Sequence, residues 1–86
     1  MKPLPLLSTV QLGAALQSAR KGLGLTQAGL AERLGLSQSR VSHLEQHPGE
    51  LSVDQLLDAC AVLGLELTIG IRGGTDTVAP SADGGW

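Results

Sequence analysis

The sequence predicts an all-α fold: a bundle of four to five short helices, followed by one C-terminal β-strand. Three observations support it. Apolar residues recur at three- and four-residue steps through residues 8–64, a capping residue precedes each predicted helix, and the period changes to two only at residues 65–72. With 86 residues and no Phe or Tyr, the chain is one domain with a small core, so a partner that covers apolar surface should stabilise it.

The first predicted helix follows a short lead, residues 1–7, which two prolines interrupt. Ser8 and Gln11 have the spacing of a capping box, which predicts a helix from about Thr9 to Lys21. We expect its inner stripe to consist of small and aliphatic residues: Leu12, Ala15, Leu16 and Ala19.

Residues 26–45 contain two short amphipathic helices joined by a tight turn, which is a helix-turn-helix motif. Thr26 and Ser37 are the predicted caps of the two helices. Ala31 is small where the helices must cross closely, and Gly35 can adopt the left-handed conformation that a sharp turn requires. The helical spacing predicts one buried seam, formed by Leu30, Leu34, Leu36, Val41 and Leu44.

The outer face of the second motif helix is polar and almost uncharged. Because Val41 and Leu44 point inward, the rotation of about 100° per residue turns five residues outward: Gln38, Ser39, Ser42, His43 and Gln46. Amides, hydroxyls and imidazole exchange hydrogen bonds with base edges in a major groove. We therefore expect Gln38, Ser39, Ser42 and His43 to read bases, with Gln38 first because its amide can pair with adenine in a bidentate contact. The alternative for each is an ordinary surface side chain.

Three further residues of the motif are candidate DNA phosphate contacts: Gln27, Ser37 and Arg40. Gln27 lies at the first turn of its helix, where unpaired backbone N–H groups and the positive end of the helix dipole suit a phosphate. The alternative is that the Gln27 side chain is exposed at the surface and binds nothing. Arg40 lies on the flank of the second motif helix, where it can reach a phosphate or pair with an acid such as Glu32.

Charge is unevenly divided along the chain, whose net charge is −2. Residues 1–44 carry five basic side chains and one acidic side chain, whereas residues 45–86 carry seven acidic side chains and one basic side chain. The basic half contains the helix with the polar face, so this half is expected to face the phosphates of DNA. The small number of basic residues predicts a modest salt dependence of binding.

The fourth predicted helix and the strand lie after a loop at His47 to Glu50. Ser52 and Gln55 predict a capping box and a helix that ends near Leu63. Apolar and polar residues then alternate through residues 65–72, which predicts a strand. The apolar residues are Leu65, Leu67, Ile69 and Ile71.

A lone strand leaves its backbone groups unpaired, so its simplest partner is the same strand of a second copy, antiparallel across a two-fold axis. An axis through Ile69 pairs Glu66 with Arg72 of the other chain. The alternatives are a strand added to another protein's sheet, or a mere tail. A dimer would set two reading helices about 34–36 Å apart on a palindromic DNA site.

No catalytic or metal site is predicted, and we expect neither enzymatic activity nor a cofactor. Nucleophile–base pairs, a phosphate-binding loop and paired carboxylates cannot be assembled from these residues. His43 and His47 are four apart, but Pro48 is expected to end the helix first. The single Cys60 is expected in the core, on a stripe with Val53, Leu56 and Leu57. One cysteine and no bilayer-length apolar run predict a cytoplasmic protein without a membrane partner.

Residues 73–86 form a polar, Gly-rich tail that ends in Trp86, the only aromatic residue of the chain. Such a composition cannot fold on its own. A large apolar ring at the end of a tether suits insertion into a partner's pocket, and the alternative is an incidental terminal residue.

Residues from Ser8 to Glu45 resemble the Cro/C1-type helix-turn-helix domain of lambda-like repressors, since five residues fall at that family's spacing: Gln27, Ala31, Gly35, Val41 and Leu44. The added strand at 65–72 and the tail ending in Trp86 resemble the HipB antitoxins. The resemblance implies a lambda-repressor-like bundle and a homodimer paired through its C-terminal strands. Such a dimer represses its own operon from palindromic operator DNA on the nucleoid. It also implies binding of a HipA-like serine/threonine kinase toxin through Trp86, with a protease-sensitive tail.

Two other interpretations of the function stay open. The first is a stand-alone phage-type or restriction-control regulator, for which the tail and Trp86 are dispensable. The second is an adaptor that uses the fold for protein contacts alone.

Overall fold

The computed structural model describes residues 5–71 and contains four α-helices in that range. These are α1 (Thr9–Gly22), α2 (Gln27–Leu34), α3 (Gln38–Gln46) and α4 (Val53–Leu63). The predicted all-α helix-turn-helix bundle is confirmed. The segment predicted as a loop after α3 contains a short 3-10 helix, Pro48–Glu50, because proline suits the first turn of a helix and the N–H of Leu51 donates to the carbonyl of Pro48 at 3.2 Å.

Each α-helix begins after a serine or threonine cap, as predicted. The hydroxyls of Ser8, Thr26, Ser37 and Ser52 accept a hydrogen bond from the backbone N–H three residues later, at 2.9 to 3.2 Å. The capping box at Ser52 is complete. The box predicted at Ser8 is only half formed, because the side-chain oxygen of Gln11 accepts from the backbone N–H of Leu7 instead. A cap of this kind contributes about 1 kcal/mol.

One apolar core lies among the four helices, and the predicted seam between α2 and α3 is part of it. The buried members of the core are Leu16, Leu30, Ala31, Val41, Ala59 and Leu63. Leu34 and Leu36 are half-buried against them, and Leu44 is also buried. Gly35 ends α2 in the left-handed conformation, with φ of +69°, as the sharp turn requires.

The predicted inner stripe of α1 is confirmed at Leu16, which is buried, and at Leu12 and Ala19, which pack against the core, but not at Ala15. Ala15 is exposed, and the buried residues of α1 are Gly13, Leu16 and Arg20. The reason is a close approach of α1 to the end of α3. A Cβ at Gly13 would lie 3.0 Å from the carbonyl oxygen of Glu45 and from the ring of Pro48, so a larger residue here would push these segments apart.

The helix α4 buries Cys60, as predicted, and this burial raises the pKa of its thiol. Two residues expected on the same stripe are not buried: Val53 is 70% exposed and Leu57 is 48% exposed. Ala59 and Leu63 face the core instead, which turns Val53 and Leu57 to the flank of the helix.

Residues 65–71 follow α4 without regular secondary structure in the single chain. The four aliphatic residues of the predicted strand are all exposed, and Ile69 is 98% exposed. A strand is defined by hydrogen bonds to a neighbouring strand, so pairing with a second copy stays a prediction. Arg72, the tail at 73–86 and Trp86 lie outside the described residues, as do residues 1–4 of the lead.

Candidate nucleic-acid interface

The helices α2 and α3 form a rigid helix-turn-helix unit. The side chain of Ala31 is 3% exposed where the helices cross, and the N–H of Leu36 donates to its carbonyl at 2.9 Å. On α3, Val41 and Leu44 are the buried residues of this contact. The orientation of α3 is therefore set by buried packing on one side, which leaves its other side for solvent or a ligand.

The predicted base-reading residues lie together on the outward side of α3. Gln38, Ser39 and His43 are exposed, and Ser42 is half-buried. All four side chains carry hydrogen-bonding groups and none carries a fixed charge. An α-helix with such a face fits the width of the major groove of B-DNA.

A buried ion pair joins α1 to α3 beneath this face. The guanidinium of Arg20 donates from Nε to Glu45 Oε2 at 2.7 Å and from Nη2 to Oε1 at 3.2 Å. Its Nη1 donates to the carbonyl of Leu25 at 2.9 Å, and the two charged side chains are only 8% and 5% exposed. The carboxylate thus holds α3 on α1 at a point next to Leu44.

Burial opposes the ionisation of Glu45, yet its pKa lies below the ordinary value of 4.5. Hydrogen bonds from Arg20 and Gln27, together with the charge of Arg20, outweigh the burial. Because the pair neutralises Arg20 inside the protein, this residue does not belong to the basic surface that the division of charge along the chain suggests.

The amide of Gln27, a predicted phosphate contact, also binds this carboxylate. Its Nε2 donates to Glu45 Oε1 at 3.0 Å, and Nε2 of Gln17 lies 3.5 Å from the same oxygen. One amide proton of Gln27 is therefore used inside the protein. The N–H of Gly29 donates to the Thr26 hydroxyl, so the second amide proton of Gln27 and the N–H groups of Gln27 and Ala28 are the donors left for a phosphate at the start of α2.

The side chain of Arg40 is exposed on α3. Within residues 5–71 the ion pairs are Arg20–Glu45 and His43–Glu50, so the alternative pair of Arg40 with Glu32 is not formed. Ser37 is exposed and its hydroxyl caps α3 by accepting from the N–H of Arg40.

The imidazole of His43 is oriented by two neighbours. Its Nε2 lies 2.9 Å from Oε1 of Glu50, and its ring packs on the ring of His47 with centroids 4.6 Å apart. The hydrogen bond with His43 lowers the pKa of the Glu50 carboxyl. The sequence does not indicate this partner, because Glu50 lies in a 3-10 helix where the sequence predicts a loop.

The helix α3 ends at Gln46, before His47, as predicted. The described part of the chain contains no group of three or more His, Cys, Asp or Glu residues placed to hold a metal ion. None of its helices combines the length and the apolar character needed to cross a membrane.

Comparison with known proteins agrees with this geometry. A helix-turn-helix family model matches residues 16–69. Three solved structures are similar to the chain, each with a TM-score of 0.72, 26% identity and 80% of this chain covered. They are a HipB-O1-O2 complex, matched over 100% of its chain, and an MDT protein and a HipA-HipB-O2-O3 complex, each matched over 97%. No curated protein matches the sequence.

Proposed function

The chain belongs to the helix-turn-helix family, and from this premise we propose that it is a sequence-specific repressor that acts as the antitoxin of a type II toxin–antitoxin system. It binds palindromic operator DNA as a homodimer, represses its own operon, and neutralises a HipA-like serine/threonine kinase toxin. It acts in the cytoplasm, on the nucleoid, and needs no cofactor.

The observation that carries the DNA-binding proposal is the exposed, uncharged polar face of α3. Gln38, Ser39 and His43 are exposed there, and Ser42 is half-buried at its edge. In the proposal these four residues read base edges. The amide of Gln38 donates to N7 and accepts from N6–H of adenine in one bidentate contact.

Three residues around this face contact phosphates in the proposal: Gln27, Ser37 and Arg40. Gln27 is the first residue of α2 and Ser37 caps α3, and the first backbone N–H groups of a helix have no partner within the helix. Arg40 supplies an exposed cation on α3. These contacts position the helix and carry no sequence information of their own.

The exposed apolar segment after α4 supports the dimer. Leu65, Leu67, Ile69 and Ile71 are all exposed in the single chain, and they alternate with polar residues. Pairing with the same segment of a second copy covers these side chains and pairs their backbone groups.

The toxin partner is proposed from two of the three similar structures, a HipA-HipB-O2-O3 complex and a HipB-O1-O2 complex. In this proposal Trp86, at the end of the chain, contacts the kinase. The chain covers nearly all of those HipB chains, which supports a shared architecture from α1 to the segment after α4.

Selection from a randomised duplex pool at moderate salt tests the DNA proposal. The purified protein should enrich a palindrome. The Gln38→Ala variant should bind the selected half-site about 10- to 100-fold more weakly and should no longer prefer adenine at the contacted position. The reason is that a bidentate contact contributes about 1–3 kcal/mol of discrimination. Ser18→Ala is the control, because Ser18 is exposed on α1, outside the helix-turn-helix. A pool that stays random contradicts the proposal.

A stand-alone regulator is the second candidate, because the family match ends at residue 69 and does not include the tail. Deletion of residues 73–86 separates the two functions. An antitoxin without its tail keeps its operator affinity but no longer protects cells that express a HipA-like kinase. Repression and protection that are both unchanged would support the stand-alone regulator, and would remove Trp86 from the toxin contact.

A further inference from the structure

A cavity of about 200 Å³ lies inside the helical domain, between α1, α2, α3 and α4. Its inner wall consists of buried apolar side chains, among them Leu30, Val41 and Ala59. Its mouth is lined by half-buried and exposed residues, among them Leu34, Leu51 and Asp58. The cavity therefore opens on the side where the turn between α2 and α3 faces α4.

The cavity is open to solvent on one side, so the apolar side chains of its wall lack packing neighbours there. Protein interiors are close-packed, and the free energy lost around a void grows with its volume. Because the wall is apolar, water gains few hydrogen bonds inside and the space favours an apolar occupant. A leucine-lined cavity of about 150 Å³ accepts a benzene ring, so this larger one has room for a bicyclic ring such as indole.

The chain itself carries a single indole, on Trp86. Fifteen residues lie between Ile71 and the end of the chain, and such a segment can extend over roughly 50 Å. The longest extent of the structure is 40 Å. The segment that leads to the tail starts at the cavity, since Leu63 both ends α4 and lines the inner wall.

We propose that the indole of Trp86 occupies this cavity in its own chain. The proposal is independent of the DNA-binding and toxin-binding functions proposed above. It means that a partner that binds Trp86 must first withdraw it from the helix-turn-helix domain.

The polar groups at the cavity suit the indole N–H, which needs one acceptor when the ring is buried. Two polar side chains of the lining are already engaged: Oε1 of Gln55 accepts from the N–H of Ser52 at 2.9 Å, and the carboxylate of Glu45 binds Arg20. The carboxylate of Asp58, exposed at the mouth, is the acceptor in the proposal.

Intrinsic fluorescence of the full chain tests the proposal directly, because Trp86 is its only tryptophan and it has no tyrosine. The emission maximum of the native protein should lie at shorter wavelength than that of the same protein unfolded in guanidinium, and acrylamide should quench it less. The shift should not depend on protein concentration, because the contact is intramolecular.

Filling the cavity should release the indole. Ala59→Leu adds volume at the inner wall, and its native emission should match that of the unfolded chain while circular dichroism still shows a helical fold. Ala61→Leu makes the same change on the exposed side of the same helix and should leave the shift unaltered. If Ala59→Leu does not fold, the native chain is tested by nuclear magnetic resonance. Nuclear Overhauser contacts between the Trp86 ring and the methyl groups of Leu34 or Leu51 support the proposal, and their absence contradicts it.

Three results would overturn the proposal. The first is a native emission maximum equal to that of the unfolded chain. The second is a shift that persists in folded Ala59→Leu, which would place the indole elsewhere. The third is a shift that disappears on dilution, which would assign the contact to a second copy.

Discussion

At the scale of single residues, the orientation of α3 depends on a buried ion pair beneath its exposed polar face. Arg20 and Glu45 are 25 positions apart in sequence, and their contact lies between α1 and α3. Removal of one partner of a buried pair leaves the other charged and desolvated, at a cost of about 3–5 kcal/mol. Glu45 therefore affects both the stability of the domain and the position of the proposed reading helix.

The Glu45→Gln variant is expected to lower the free energy of unfolding by about 3 kcal/mol at neutral pH. Because the folded-state pKa of Glu45 lies below 4.5, this contribution is complete above the unfolded-state pKa and is lost as the pH falls through the folded-state pKa. The difference between wild type and variant should thus shrink as the pH falls below about 4.5. Urea unfolding at a series of pH values measures it.

The control for this prediction is Glu32→Gln, which removes an exposed carboxylate from α2. It should change the free energy of unfolding by less than about 0.5 kcal/mol. Equal effects of the two substitutions, or a Glu45→Gln effect that does not vary with pH, would show that the ion pair does not stabilise the fold.

At the scale of secondary-structure elements, the four helices bury one another, whereas the segment after α4 is only partly covered in the described range. Leu65, Leu67 and Ile71 are exposed, and Ile69 is almost fully exposed. The sequence predicts a strand in this segment, and an unpaired strand edge with apolar side chains associates with further strands. This is the physical basis of the proposed two-fold strand pairing.

Substitution of Ile69 by Lys should abolish the dimer, because it places two like charges at the proposed two-fold axis and removes apolar contact. Sedimentation equilibrium should report a monomer. Operator affinity should fall as well, since each half-site supplies only part of the contact energy. Thr68→Lys introduces the same charge on the polar side of the segment and should leave the dimer intact. A dimeric Ile69→Lys protein would contradict the strand pairing.

At the scale of the whole molecule, the surface available to phosphate is less basic than the sequence suggests. Of the basic residues in the described range, Arg20 is buried, which leaves Lys21, Arg33 and Arg40 exposed. A protein that neutralises few phosphates releases few counterions, so operator binding should show a modest dependence on salt.

The Arg40→Gln variant is expected to flatten the plot of log K against log salt by about 0.9 for each phosphate that it no longer neutralises, and so by twice that amount in a dimer. Its affinity should fall to a similar extent for specific and random duplexes. Fluorescence anisotropy with labelled duplexes at several salt concentrations measures both effects. Gln38→Ala is the comparison, because it should reduce specificity and leave the slope unchanged. An unaltered slope for Arg40→Gln would remove Arg40 from the residues that bind phosphate.

The sequence alone determined those features that depend on neighbours within about four residues. The caps at Thr26, Ser37 and Ser52 and the left-handed turn at Gly35 were all predictable, because they arise from local hydrogen bonds and backbone sterics. The seam of the helix-turn-helix was predictable too, since helical period alone places its apolar residues on one side. The exposed polar face of α3 follows from the same period.

Only the tertiary structure decided which remote residues meet. The pairing of Arg20 with Glu45 and of His43 with Glu50, and the close approach at Gly13, depend on how the helices cross. Helical period gives the relative directions of side chains on one helix, but the neighbouring helices decide which direction is inward. For this reason Ala15, Val53 and Leu57 lie at the surface, although they are apolar and have helical spacing.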